Sequence, residues 1–181
     1  MKLIIGLGNP GAKYASTRHN AGFLAIDHYL KDKQPIACPS KFKAEIAELH
    51  LEEGGKTLFV KPQTFMNESG QAVLDISQFY KVPPAGLLVI HDDTDLPLGR
   101  IKVASDSSDA GHNGVKDIFA RLGTQALRRI RIGVETRESR SDLPTDAFVL
   151  QNFTAEELTK LNQEILPQVD DEINSFLANG Q

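Results

Sequence analysis

The chain has 181 residues, of which 40% are hydrophobic and 24% charged, the balance of a soluble globular protein long enough to bury a core. Its net charge of −4 is uneven, because residues 135–181 carry −7 and residues 1–134 carry +3, which excludes strong long-range attraction of a polyanion but leaves room for a small basic patch. Cys38 is the single cysteine and no zinc-ligand spacing is present, which excludes a disulfide framework and argues against a metal.

Strand-like and helix-like segments alternate along the chain. The apolar run at residues 2–7 is typical of a central strand that is buried on both faces. The hydrophobic patterns predict further strands at residues 43–62 (a hairpin turning at Gly54-Gly55), 86–93, 99–104 and 128–135. They predict helices at residues 20–33, 67–82 and 113–123 and in the tail from residue 154.

Several residues mark the ends of these helices. Asn20 is a candidate N-cap of the first helix, and Gly123 closes the third. Thr154 and Glu157 have the spacing of a capping box at the start of the tail helix, which we expect to break near Pro167. With no repeat or linker, the pattern predicts a single α/β domain over residues 1–181, built on a mixed sheet.

The turn after the first strand contains glycines at residues 6, 8 and 11, in the G-x-G-x-x-G spacing of dinucleotide-binding turns. In such sites a helix begins within the turn, and an acid about 20 residues later holds the ribose. Here the predicted helix begins only near Asn20, and Asp27 and Asp32 both fall inside it. These glycines therefore indicate a sharp turn and close backbone packing, although a nicotinamide- or flavin-dependent oxidoreductase stays an alternative.

His19 and two acids are the candidates for acid–base chemistry. His19 follows the first strand, and Asp92 and Asp93 end another predicted strand. In α/β sheets, ligands bind outside the carboxyl ends of strands, where a histidine held by a carboxylate can act as a general base. Such residues are also common as surface or turn residues. Because no G-x-S-x-G elbow is present, activated water is favoured over a covalent nucleophile.

Three asparagines give these residues a distinctive context. Asn9 lies in "GNPG", Asn67 in "TFMN" and Asn113 in "GHNG". A carboxamide can donate and accept hydrogen bonds, so it suits a carbonyl group or a developing oxyanion. Each asparagine could equally be a cap or a turn residue.

Long sequence blocks make a resemblance specific. The chain resembles the bacterial peptidyl-tRNA hydrolase family over nearly its whole length, in the order and spacing of "LIIGLGNPGAKYASTRHNAGF", "KPQTFMNESGQAV", "HDDTDLPLGRIKV", "GHNGVKDI" and "RIRIGV". The resemblance implies a phosphorylase/hydrolase-like α/β fold with helices on both faces of a twisted mixed sheet. It implies hydrolysis of the ester that joins a peptide to the 3′-terminal ribose of tRNA, by a monomer that needs no cofactor or metal. Independently of the resemblance, the apolar run at residues 1–7 is too short for a signal peptide and no stretch approaches a membrane span, so we expect a cytoplasmic protein with no membrane partner.

The resemblance also implies roles for individual residues. His19 would deprotonate water, Asp92 would orient it, and Asn9 would help to select N-blocked peptidyl substrates. Asn67 and Asn113 would bind the peptide backbone and the terminal adenosine region. Tyr14, Phe65 and Met66 would shape the cleft, and Lys102 and Arg131 would contact tRNA phosphates.

Two loops depart from the family pattern. Residues 104–111 form an acidic loop, with Asp106 and Asp109, where the family carries a glycine-rich run, and residues 135–146 also differ. Acidic side chains near the path of the tRNA phosphates repel those phosphates, so we expect tRNA to bind more weakly, or to be bound by Arg137 and Arg140 instead. These departures leave one further alternative, a catalytically inactive RNA-binding protein of the same fold.

Overall fold

Seven strands form one mixed sheet in the computed structural model, which describes residues 1–38, 41–52, 55–141 and 143–178. The strands are β1 (Lys2–Gly6), β2 (Ile36–Cys38), β3 (Ala44–Leu51), β4 (Gly55–Pro62), β5 (Leu87–Pro97), β6 (Ile101–Ala104) and β7 (Arg128–Glu135). Their order across the sheet is β2-β3-β4-β1-β5-β7-β6. The β1–β4, β1–β5 and β5–β7 pairs are parallel and the other pairs antiparallel, which confirms the predicted mixed sheet.

Helices cover both faces of this sheet, as predicted. They are α1 (Ala21–Leu30), α2 (Ser69–Phe79), α3 (Asn113–Leu122), α4 (Thr145–Val149), α5 (Ala155–Lys160) and α6 (Leu166–Ala178). Side chains of α1 and α6 pack in one apolar cluster with Ile4 of β1, whereas those of α2 and α3 pack in a second cluster with Leu3 and Ile5. Because β1 is buried on both faces, its sequence is a continuous apolar run. In the described part of the chain, no helix has the length and apolarity needed to cross a membrane.

Glycines in the first turn allow α1 to pack directly on the sheet. A Cβ atom on Gly6 would lie 2.3 Å from the carbonyl oxygen of Gly22 in α1, and one on Gly22 would lie 2.3 Å from that of Ile90. Gly11 has a φ of 104°, which favours glycine. Only a three-residue 3-10 turn, Ala12–Tyr14, follows Gly11 directly, and α1 begins at Ala21, so the turn does not lead into an α-helix that could hold a pyrophosphate, and Gly6 and Gly8 have a packing role.

Most predicted element ends agree with the structure. The hairpin of β3 and β4 is present, although the predicted turn residue Gly54 lies outside the described residues. Helix α2 ends before Pro83, and Gly123 closes α3 in a left-handed conformation with a φ of 67°. The capping box of Thr154 and Glu157 is formed at the start of α5. Strand β2 and helix α4, of three and five residues, were not predicted, because such short segments show no periodicity.

Two predicted ends were wrong. Strand β5 does not end at Asp93 but continues to Pro97, because its pairing with β7 extends past Asp93 through a register shift. The tail helix does not break near Pro167. Instead a π-helical turn, Leu161–Ile165, precedes α6. Proline lacks the N–H that an α-helical turn would use, and the wider turn before it accommodates this loss without ending the helix.

Candidate active site

His19 and Asp92 meet at the carboxyl end of β1, as the sequence predicts. His19 lies in a 3-10 turn, Arg18–Asn20, between β1 and α1, and it is buried. The pairing of β1 with β5 ends at Gly6 and Ile90, so Asp92, which lies within β5, is just beyond the carboxyl end of β1. The Nδ1 atom of His19 is 2.9 Å from Oδ1 of Asp92. Nδ1–H donates to this oxygen, which leaves Nε2 as the nitrogen that can accept a proton.

A second histidine, which the sequence analysis did not assign a role, binds the same carboxylate. The Nε2 atom of His112 is 3.0 Å from Oδ1 of Asp92. His112 is the N-cap residue of α3, and the Val115 backbone N–H donates to its Nδ1 at 3.3 Å. Because Nδ1 accepts, Nε2 carries the proton and donates to Asp92. The sequence signal for this residue was its position immediately before a predicted helix and beside Asn113.

The two imidazoles keep Asp92 ionised. Burial opposes the charge on Asp92, but His19 and His112, with their hydrogen bonds, outweigh it and hold the pKa of this carboxyl well below its usual range. Burial also lowers the pKa of His19, but Asp92 outweighs that effect and raises it above its ordinary value of about 6.5. Burial and the neighbouring His112 hold the pKa of His91 well below 6.5. The site therefore contains a fixed carboxylate beside an imidazole that holds a proton readily.

His19, Asp92 and His112 form the only group of potential metal ligands among the described residues that is compact enough for an ion, since their ligand atoms lie within 4.8 Å of one another. The hydrogen bonding of His112 disfavours such an ion. A metal on Nε2 of a neutral imidazole requires a proton on Nδ1, yet Nδ1 of His112 accepts from the Val115 N–H. The arrangement suits proton transfer better than metal binding.

Asn9 is held rigidly beside the pair. Its backbone N–H donates to Oδ1 of Asn20 at 2.9 Å, and Nδ2 of Asn20 donates to the Asn9 carbonyl at 3.0 Å. Asn20 thus occupies the N-cap position of α1 without a side-chain cap bond, so the predicted capping role was wrong. The Met66 backbone N–H donates to Oδ1 of Asn9 at 2.9 Å. This bond fixes the orientation of the amide and leaves its Nδ2 donors for a ligand.

A cavity of about 900 Å³ opens beside these groups. It is lined by all three predicted catalytic residues, Asn9, His19 and Asp92. It is also lined by five of the predicted binding residues, Tyr14, Phe65, Met66, Asn67 and Asn113. Helix α4 forms part of its wall through Thr145, Asp146 and Val149. Eight of the ten predicted site residues therefore share one cleft.

The two predicted phosphate contacts, Lys102 and Arg131, do not line this cavity. They face each other across the β6–β7 pair. The Lys102 side chain is exposed, but Nε of Arg131 donates to Oδ2 of Asp93, and the Arg131 side chain is only 11% exposed. Lys102 is thus available to a phosphate, whereas Arg131 is largely committed to Asp93.

The two alternative cations in residues 135–146 also differ. Arg137 is buried against Glu135 and donates to the carbonyl of Leu143. Arg140 has a 55% exposed side chain, binds Asp95 at 2.8 Å and lines the cavity. Of these two arginines, Arg140 is the one that can reach a ligand.

The acidic loop at residues 104–111 accepts hydrogen bonds from a buried arginine. The Nη2 atom of Arg129, a fully buried side chain, donates to the carbonyls of Ser107 at 2.8 Å and Ser108 at 2.9 Å. Ala110 and Gly111, at the end of the loop, line the cavity. Hydrogen bonds from Arg129 therefore hold this loop from within the protein.

A family model described as peptidyl-tRNA hydrolase matches residues 3–181. The chain belongs to the peptidyl-tRNA hydrolase family. A curated peptidyl-tRNA hydrolase from Lactobacillus delbrueckii is 40% identical over 178 residues, covering 98% of this chain and 94% of that protein. One from Desulfitobacterium hafniense is 45% identical over 166 residues, covering 92% and 87%.

Solved structures of the family share the fold. A crystal structure of peptidyl-tRNA hydrolase from Acinetobacter baumannii is 31% identical, with a TM-score of 0.79 over 98% of this chain and 95% of that one. A peptidyl-tRNA hydrolase in complex with N-propanol has a TM-score of 0.80 at 31% identity, over 97% and 95% of the two chains. These similarities confirm the predicted family and fold.

Proposed function

We propose that this chain hydrolyses the ester bond between an N-blocked peptide and the 3′-terminal ribose of tRNA, which recycles tRNA in translation. Family membership gives the reaction. The observation that carries the proposal is the His19–Asp92 pair, which opens into the cleft. An inactive RNA-binding protein would have no use for an ionised carboxylate and an oriented imidazole in an open cavity, so the site favours the enzyme.

His19 acts as general base in the proposed mechanism. Its Nε2 takes a proton from water as the water oxygen bonds to the ester carbonyl carbon, and Asp92 stabilises the imidazolium that forms. When the tetrahedral intermediate collapses, the carbon–oxygen bond to the ribose breaks and His19 returns the proton to the ribose oxygen. The products are a peptide carboxylic acid and tRNA with a free 3′-hydroxyl. A positioned base of this kind contributes about 10²–10⁴ in rate.

His112 holds the carboxylate in place for this step. It donates to the Asp92 oxygen that also accepts from His19. With its own Nδ1 fixed by Val115, His112 keeps that oxygen aimed at His19. We assign His112 the role of a positioning residue.

The asparagines supply neutral recognition of the substrate. Asn9 presents Nδ2 donors at a fixed orientation, and Asn67 and Asn113 are exposed in the same cleft. These groups bind peptide amides and the terminal adenosine and polarise the ester carbonyl, and loss of one oxyanion donor costs about 10²–10³ in rate. A free ammonium would have to lose its hydration here without gaining a counter-charge from the asparagines, which favours N-blocked substrates.

The tRNA body would be held by exposed cations. Lys102 is the predicted contact that the structure leaves accessible, Arg140 adds a cation at the cleft, and Arg131 acts mainly by ordering Asp93. We also propose that residues 1–181 act as one domain, as a monomer in the cytoplasm, without a metal or cofactor.

Cleavage of matched substrates tests the proposal. The protein is incubated with an N-acetylated aminoacyl-tRNA and with its unblocked counterpart, and release of tRNA is followed on acid gels. We expect rapid release from the blocked species only, loss of turnover with nearly unchanged tRNA binding in His19→Ala, and full activity after dialysis against EDTA. Tight binding without release by the wild type would support the inactive RNA-binding alternative, and retained activity in His19→Ala would exclude the proposed base.

A further inference from the structure

The turn that carries His19 is attached to a distant part of the chain by its preceding residue, Arg18. The guanidinium of Arg18 is nearly inaccessible, with a 5% exposed side chain. Its Nη2 donates to both carboxylate oxygens of Glu157, at 2.7 and 2.8 Å, and its Nη1 donates to the Asn152 carbonyl at 2.8 Å. The charged group also lies over the rings of Phe148 and Phe153, at 4.6 and 5.3 Å.

Backbone hydrogen bonds reinforce this attachment. The N–H of Arg18 donates to the carbonyl of Gln151 at 3.0 Å, and the N–H of Phe153 donates to that of Ser16 at 2.9 Å. Thr17 and Asn152 form an isolated antiparallel bridge. A three-residue 3-10 turn has little stability of its own, so the position of His19 depends on the segment between α4 and α5.

Helix α4 and the residue that follows it form one wall of the cleft. Phe148, which packs under Arg18, belongs to α4, and its neighbours Val149 and Leu150 line the cavity beside His19. A single guanidinium thus joins the turn that carries the general base to a helix that contacts this turn and lines the same cavity.

An ion pair at this place is not required for packing. Burying a charged pair costs desolvation, and apolar residues of similar volume often give equal or greater stability. What the guanidinium adds here is a fixed orientation, because Nη2 is bound by both oxygens of Glu157 while Nη1 donates to the Asn152 carbonyl.

We infer that Arg18 is a positioning residue, which holds the turn of His19 against Asp92 through its ion pair with Glu157 of α5 and holds α4 at the cleft through its contact with Phe148. The inference rests on the proposed function for its kinetic consequences. Arg18 does not touch the substrate. It acts through the placement of His19, for which an error of 1 Å can cost about 10²-fold in rate.

The decisive variants are Arg18→Lys, which keeps the charge but loses the pair of nitrogens that bind Glu157 and Asn152 together, and the double variant Arg18→Met/Glu157→Gln, which leaves no buried charge unpaired. Lys2→Met is the matched control, because Lys2 is also a buried cation, donating to the carbonyls of Phe176 and Leu177 in α6. Each protein is assayed with N-acetylated aminoacyl-tRNA at a temperature where circular dichroism shows it to be fully folded.

We expect kcat to fall about 10–100-fold in the double variant, with a smaller rise in KM, and to fall less in Arg18→Lys. Lys2→Met should keep the wild-type kcat despite a lower unfolding midpoint. Nitrogen-15 NMR of labelled histidine gives an independent readout. At a pH above the pKa of His19, where the ring carries one proton, the wild type should show that proton on Nδ1, and the double variant should show an average of both tautomers.

A wild-type kcat and an unchanged His19 tautomer in the folded double variant would overturn the inference. If the double variant does not fold, the same two results in Arg18→Lys would overturn it. If the wild type cleaves no peptidyl-tRNA, the proposed function fails, but the NMR comparison still tests whether Arg18 orients His19.

Discussion

Replacement of Asp92 by asparagine isolates the effect of one negative charge. Both histidines donate to the same oxygen of Asp92, at 2.9 and 3.0 Å, and an asparagine can keep its carbonyl oxygen at that point with little change in shape. The imidazolium of His19 loses an opposite charge about 4 Å away, which at an effective dielectric constant of 20 corresponds to about 4 kcal/mol. Since each 1.4 kcal/mol is about tenfold in rate, we expect kcat to fall by about 10²–10³.

The pH profile gives a second, independent expectation for this variant. In the wild type, Asp92 raises the pKa of His19 above 6.5, so kcat/KM should rise with pH through a pKa above that value as the base becomes neutral. In Asp92→Asn only burial remains, which lowers the pKa, so the acid limb should move to lower pH. Single-turnover cleavage of N-acetylated aminoacyl-tRNA between pH 5 and 9 measures both quantities.

Asp93→Asn is the matched control, because the neighbouring buried carboxylate pairs with Arg131 instead of a histidine. We expect its acid limb to coincide with that of the wild type. A fall in kcat of less than tenfold in Asp92→Asn, or an acid limb that does not move, would show that the charge of Asp92 does not support His19 during turnover.

Three further perturbations test other parts of the structure. Lys102→Ala should raise KM and reduce the slope of log KM against the logarithm of the salt concentration by about one, as expected for one phosphate contact fewer, with kcat at saturation unchanged. A lower kcat instead would contradict a phosphate contact. Lys2→Met should lower the free energy of unfolding by about 1.5–3 kcal/mol, because charged hydrogen bonds to two α6 carbonyls are lost; an unchanged urea midpoint would refute this. Gly22→Ala should destabilise the fold by about 3 kcal/mol or more, since its Cβ would lie 2.3 Å from the Ile90 carbonyl oxygen; a wild-type midpoint would mean that α1 can shift away from the sheet.

The features that sequence predicts well are those that arise from local patterns. The apolar run of β1 and the capping box of Thr154 and Glu157 each depend on a few consecutive residues. The meeting of His19 with Asp92 was also predictable, because parallel neighbouring strands bring their carboxyl ends to one edge of the sheet. Here topology supplied the long-range contact.

Other features depend on partners that no local pattern identifies. Asn20 stands where an N-cap is expected, yet its amide is used between two loops to hold Asn9. His112 reaches Asp92 only because the start of α3 lies beside the middle of β5. An asparagine or histidine side chain can cap a helix or bond to a residue distant in sequence, and its surroundings in the folded protein decide which of these contacts forms.

Charge is the property for which the sequence misleads most. Residues 1–134 have a net charge of +3, but several arginines in this part of the chain are not available to a ligand. Arg18 is taken by Glu157, Arg129 by the carbonyls of residues 107 and 108, and Arg131 by Asp93.

These arginines order the loops around the cleft, and the acidic tail provides the carboxylate that holds the first of them. Because these three cations are paired within the protein, they add little to the counterion release that accompanies tRNA binding, and we expect that release to come from exposed cations such as Lys102 and Arg140. Phosphate contacts of this kind do not distinguish one tRNA from another, so we expect discrimination among substrates to come mainly from the acceptor end and the peptide, where the neutral amides of Asn9, Asn67 and Asn113 line the cleft beside His19. The paired arginines therefore contribute to the order of the cleft, and the exposed cations contribute to the attraction for nucleic acid.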